Sequence, residues 1–173
     1  MQFIAFEGTR QIALGTLSEV ARAAKLIVDQ EGWLPVLIFD AATSQLVDLD
    51  FRAEAPAEQP PRGPGRPKLG VVAREVTLLP RHWEWLQAQP GGASVALRKL
   101  VDEARRVNEC KDRVRQARES VYRFIQAMAG DEAGFEEATR ALFAGNREGF
   151  ETKIAGWPRD VREHASRLAT EAF

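Results

Sequence analysis

Apolar positions along the first fifty residues change their period twice. From Gln2 to Phe6 they run almost unbroken, Glu7-Gly8-Thr9-Arg10 interrupts them as a turn, and Gln11 to Leu14 resumes the run. After Gly15 the step lengthens to three and four residues. Leu17, Val20, Ala21, Ala24, Ile27 and Val28 then line one side of a helix that Gly32 ends. Thr16 and Glu19 stand at capping-box spacing at its entrance. Apolar runs return from Leu34 to Asp40 and from Gln45 to Asp50, with Ala41-Ala42-Thr43-Ser44 as the turn. The pattern predicts a β-β-α-β-β unit over residues 1–52, a four-stranded sheet with a helix on one face.

Residues 53–72 break every period. Pro56, Pro60, Pro61, Pro64 and Pro67, with Gly63 and Gly65, exclude a helix or a central strand and mark a linker. Beyond it, Arg74 to Leu79 reads as a strand stopped by Pro80, and His82 to Gln87 as a short helix packed through Trp83 and Leu86. Pro90-Gly91-Gly92 ends that helix. Ser94 can cap the next, whose stripe runs through Leu97, Leu100, Ala104, Val107, Val114, Val121, Ile125 and Met128. Continuous from Ser94 to Ala129 it would span about 54 Å; with a hinge near Asn108 or Lys111 it would fold back. Cys110 reads as a small filler on this helix.

Residues 130–173 form a helical bundle in this reading. Gly134-Phe135-Glu136 recurs 15 residues later as Gly149-Phe150-Glu151, each copy leading into a helix. A last helix from about Pro158 to Thr170 turns Val161, Ala165 and Leu168 inward. The chain is therefore expected to be α+β: a small unit at 1–52, a linker at 53–72, a strand-helix-helix segment at 73–129 and a helical domain at 130–173.

Charge adds a contrast that the net value of -1 hides. Residues 1–61 hold 4 bases and 9 acids, residues 62–115 hold 12 and 6, and residues 116–173 hold 8 and 10. A basic middle can make a local positive surface, while the acidic end segments favour protein contacts over DNA. No apolar run is long enough to cross a membrane, and the amino terminus lacks the pattern of a signal peptide, so a cytoplasmic protein is expected.

Within the basic stretch, Arg62-Gly63-Pro64-Gly65-Arg66-Pro67-Lys68 resembles the AT-hook, an extended segment that lies in the minor groove of A·T-rich DNA. That resemblance implies Arg66 in the groove, with Arg62 and Lys68 on phosphates. The strand, short helix, glycine turn and second helix over residues 73–106 resemble the ribbon-helix-helix DNA-binding family. The block Ser94-Val95-Ala96-Leu97-Arg98-Lys99-Leu100-Val101 carries the closest likeness. The family implies a homodimer whose paired strands enter the major groove and whose second helices hold phosphates at their amino ends. Transferred here, Arg74, Val76 and Leu78 face DNA, with Leu79 inward, and Gly92, Ala93 and Ser94 form the anchor. Two of the three outward residues are aliphatic, where hydrogen-bonding readers are the rule. Dimerisation in a scaffold protein, without DNA, stands as the alternative. Nearly the whole chain, through GRPKLGVVAREVTLLPRHWEWL and GGASVALRKLVDEA, also resembles the bacterial domain-of-unknown-function group numbered 2239.

Catalytic chemistry finds little support. Asp40, Asp48 and Asp50 sit at strand ends and turns, where structure accounts for them. Cys110 is alone, and His82 and His164 are far apart with no third ligand beside them, so neither a metal nor a cofactor is expected.

Overall fold

The computed structural model describes residues 1–30, 34–49, 72 and 74–173. Two units share the chain: residues Met1–Pro56 together with Cys110–Phe173, and residues Ala57–Glu109. The α+β architecture is as expected, but its division is not. The amino-terminal sheet and the carboxy-terminal helices, expected as separate domains at 1–52 and 130–173, are built around one core.

In the first unit, β1 (Phe3–Glu7), β2 (Arg10–Gly15) and β3 (Val36–Asp40) form a sheet in the order β2-β1-β3, with β1 antiparallel to both neighbours. The central strand reads FIAF because both of its faces are covered. On one side Ala5 and Ile38 meet Val20 and Ala24 of α1 (Leu17–Asp29). On the other, Ile4, Phe6 and Phe39 meet the helical bundle. Helix α1 starts as predicted: Thr16 Oγ1 accepts from the Glu19 amide, and Glu19 Oε2 accepts from the Thr16 amide at 2.8 Å. The Thr16 amide first, and then the Thr16 hydroxyl, which also donates to Oε2 at 2.8 Å, hold the Glu19 carboxyl below its usual range.

Among the described residues a fourth strand does not form. Past β3, the Asp40 amide donates to Gln45 O at 2.9 Å and the Val47 amide to Ile38 O at 2.8 Å. Leu46 makes a single bridge to Phe39 and the ladder stops. Asp48, a poor strand former, is exposed there, and Asp50 lies outside the described residues. The Asp40 carboxylate is committed to its own turn, with Oδ1 accepting from the amides of Ala42 and Thr43 and from Thr43 Oγ1. Burial alone would raise its pKa, but the bonds from Thr43 and Ala42 and the charge of the amino terminus leave it lowered.

Besides α1, the helices of this unit are the second half of α3 (Gly92–Ala129), α4 (Phe135–Ala144), α5 (Arg147–Ile154) and α6 (Arg159–Leu168), closed by a 3₁₀ turn at Ala169–Glu171. The Gly-Phe repeat is not a structural repeat. Gly134 precedes α4 in the left-handed region, whereas Gly149 lies inside α5 and donates its amide to the capping Asn146 Oδ1 at 2.9 Å. Val121, Phe124 and Ile125 of α3 meet the sheet, and the Phe124 ring lies 5.4 Å from Phe6 and 5.5 Å from Phe39. Each buried phenylalanine contributes about 1.5–3 kcal/mol. Polar bonds tie the same layers. Ser120 Oγ donates to Ala42 O at 2.9 Å, Arg123 Nη1 to Thr43 O at 2.7 Å, and the Gln11 amide to Asp160 Oδ2 at 2.8 Å. Arg118 Nε donates to Ala172 O at 2.8 Å and fastens the carboxy terminus to α3.

Among the described residues, the half-buried Thr139 and the core residue His164 have buried polar side-chain atoms without a partner. His164 is 2% exposed, its ring 4.5 Å from Phe124 and 5.9 Å from Phe6, and neither ring nitrogen has a hydrogen bond. Burial, followed by the Arg167 charge, pushes its pKa down to about 4. At neutral pH the ring is therefore uncharged, with one donor and one acceptor unanswered, a burden of about 1–3 kcal/mol.

Candidate nucleic-acid interface

In the second unit the expected ribbon strand is present as chain without a ladder. Residues 74–79 have no strand partner among the described residues. Leu79 is extended (φ -66°, ψ 150°) and is the N-cap of α2 (Pro80–Gln87), with Pro80 in the first turn where its missing N–H costs nothing. Leu78 is half-buried, while Leu79, at the helix entrance, is exposed. The expected parity, Leu79 inward with Arg74, Val76 and Leu78 outward, finds no support in the exposure of Leu79.

Helix α2 holds Leu86 at 3% exposure, and Ala96 of α3 is also buried. Trp83 is half-buried, and Trp85 faces outward with 53% of its surface exposed. The turn between the helices needs both of its glycines. Gly91 and Gly92 have φ of 88° and 75°, in the left-handed region, and a Cβ on Gly91 would meet Val95 Cγ1 at 3.1 Å.

Helix α3 begins at Gly92, so Ser94 lies in its first turn and does not cap it. The Gly92 amide is already spent on Gln89 O at 2.9 Å. Of the expected anchor, Ala93 and Ser94 keep amides with no acceptor inside the helix. Arg98 folds back over this turn, donating Nε to Ser94 O at 3.1 Å and Nη2 to Ser94 Oγ at 3.3 Å, which sets a cation beside the positive end of the helix.

Few apolar groups of this unit are covered. Leu86 and Ala96 are the buried ones among its described residues, whereas Val76, Leu79, Trp85, Leu100, Val101 and Val107 are exposed, Val107 at 68%. Every residue from Lys99 to Lys111 is exposed, Cys110 included, so the expected filler is a surface thiol. Residues 74–109 carry 6 bases (Arg74, Arg81, Arg98, Lys99, Arg105, Arg106) and 5 acids (Glu75, Glu84, Asp102, Glu103, Glu109). The basic excess of the middle segment therefore rests on Arg62, Arg66 and Lys68, which lie outside the described residues, and on Lys111 to Arg115.

The family of uncharacterized proteins conserved in bacteria, DUF2239, has a model that matches residues 2–169. The chain belongs to this family. Its match takes in both units, the glycine turn and the helical tail. No curated protein and no solved structure matches the chain. Among the described residues no helix is long and apolar enough to cross a membrane, and no three His, Cys, Asp or Glu side chains are grouped to hold a metal.

His164 is the residue that sequence reasoning missed. Its signal was available: with Val161, Ala165 and Leu168 it completes an i, i+3, i+4, i+7 face, which places it inward.

Proposed function

We propose that the chain is a cytoplasmic DNA-binding protein that acts as a homodimer through residues 72–109, as a transcriptional regulator or a nucleoid component. The uncovered apolar set of that segment carries the reading. Among its described residues, a unit with Leu86 and Ala96 as the buried apolar side chains, and with Leu79, Trp85, Leu100, Val101 and Val107 in water, gathers little core in a single copy. Two copies supply one to each other in the ribbon-helix-helix arrangement, where the extended segments pair and the helices interlock.

The half-burial of Leu78 supports a refined assignment of the ribbon. With Leu78 inward, Val76 and Arg74 share its face, and Glu75 and Thr77 take the opposite one. Thr77 then offers a hydroxyl and a methyl to base edges, and Glu75 an acceptor for a cytosine amine. The amides of Ala93 and Ser94, with Arg98 beside them, suit a backbone phosphate. The arm supplies most of the charge, with Arg66 in a narrow A·T-rich minor groove and Arg62 and Lys68 on phosphates.

A salt series tests this. Fluorescence anisotropy on A·T-rich and G·C-rich duplexes should show affinity falling steeply with salt, with the A·T-rich duplex preferred. Exchanging Arg66 and Lys68 for alanine should reduce the logarithmic slope by about 2. Cys110 is the single cysteine, so one spin label per chain reports the dimer as a dipolar coupling that dilution abolishes. The exposed Val76 and Trp85 favour one competing reading, in which the dimer is a scaffold for another protein. A coupling between labels with no salt-dependent DNA binding selects it.

A further inference from the structure

A cleft of about 640 Å³ opens in the first unit, between α3, the α6 end of the chain and the turn after β3. Its volume is that of a small-molecule site. The groups that line it fall into two sets. Some are already used: Arg123 bonds Thr43 O and Glu119, Glu119 also holds Arg115, and Arg113 is engaged. Others make no hydrogen bond or ion pair among the described residues, namely the side-chain amides of Gln2, Gln45 and Gln116 and the guanidinium of Arg167. His164 borders the same space, and the ring's aromatic neighbours, Phe6 and Phe124, offer its nitrogens no polar partner.

We propose that this cleft binds a small organic oxyanion, with Arg167 pairing its charge, the Gln2, Gln45 and Gln116 amides donating to its oxygens, and His164 beneath it. The chemistry follows from what is left unanswered. The exposed Arg167 guanidinium and the Gln2, Gln45 and Gln116 amides line one space, and an oxyanion is a ligand that can accept from the guanidinium and from the amide N–H groups. The neutral His164 ring borders the same space, with both nitrogens covered, and its signals report what enters the cleft. Leu14, Ala117 and Leu168 line the remainder and suit a carbon body. Glu171 and the already paired Glu119 are opposing charges in the lining and limit how much anion the site takes. This site does not depend on DNA binding.

The chain has two histidines, and His82 is exposed in the other unit, so ring-labelled histidine NMR carries its own control. Citrate and inorganic phosphate are titrated separately at pH 7 and constant ionic strength, with glucose as the uncharged probe. Either anion should move the His164 ring signals saturably and leave those of His82 in place. Saturation by citrate alone assigns a carboxylate, and by phosphate alone a phosphate group. Arg167→Gln, an exposed change, should weaken binding about tenfold, the scale of one charge-assisted hydrogen bond. Glu171→Gln should strengthen it, and Arg140→Gln, a remote arginine paired with Glu137, should leave it unchanged. Equal movement of both histidines, no movement with either anion, or an Arg167→Gln protein that binds like the original would overturn the proposal.

Discussion

Mild acid should destabilise the first unit through His164, and the size of the effect follows from its burial. The ring's ordinary pKa of 6.5 is pushed down to about 4 in the folded chain, first by burial and then by Arg167. A depressed pKa means that the unfolded chain takes up a proton that the folded chain refuses. The stability tied to the neutral ring is complete above pH 6.5 and is lost as pH falls through the window down to about 4. At about 1.4 kcal/mol per pH unit, the loss across that window is about 3 kcal/mol. That is a large share of the about 5–15 kcal/mol that holds a typical domain together. Glu19 and Asp40, both held below their usual 4.5 and 3.8, remove further stability only at the acid end. Between pH 6.5 and about 5 His164 therefore acts without them, for about 2 kcal/mol.

Urea unfolding, followed by the fluorescence of Trp157, reads this out, because that indole is 3% exposed and bonds Ala133 O at 3.0 Å in the folded state. Buffers without carboxylate or phosphate keep the cleft empty. His164→Leu should remove the slope in this window and raise stability at its acid end. A wild-type curve flat from pH 6.5 to 5, or a His164→Leu protein with the same slope, would refute the assignment.

Three other changes test the fold. Phe124→Ala removes the ring that meets Phe6, Phe39 and His164, and should cost about 3–5 kcal/mol. Amide exchange should then show β1, β3 and α4 to α6 losing protection together, and a sheet that stays protected would contradict the shared core. Thr16→Ala should cost about 1 kcal/mol by chemical denaturation, with Thr16→Ser recovering most of it. Gly91→Ala forces a side chain into φ 88° against Val95, and should cost about 1–2 kcal/mol of the second unit and weaken self-association in sedimentation.

Local signals in the sequence were faithful where the cause was local. The capping box at Thr16, the apolar run of β1 and the glycine turn before α3 each depend on neighbours a few residues away, and each lies where the pattern puts it. What escaped was the choice of partner. Ile4, Phe6 and Phe39 announce a face to be buried, but periodicity does not say that Phe124 and Val161 bury it. That is why a single core read as two domains. Register near an element's end was hard for a related reason: whether Leu78 or Leu79 turns inward depends on where α2 begins, a matter of one residue. His164 was passed over because Arg162, Glu163, Ser166 and Arg167 surround it and make the helix look solvated.

The order in which the core's pieces are made differs from the order in which they pack. On a ribosome the three strands emerge early, with Phe6 and Phe39 facing nothing. The helical residue that covers them, Phe124, is added several seconds later at about 5–20 residues per second. All of the inserted unit, Ala57–Glu109, is synthesised in that interval. A nascent chain halted before Phe124 should therefore be a client for chaperones that bind bare aromatic surface. Release comes only once Arg118 can grip the backbone of Ala172, 54 residues further along the chain.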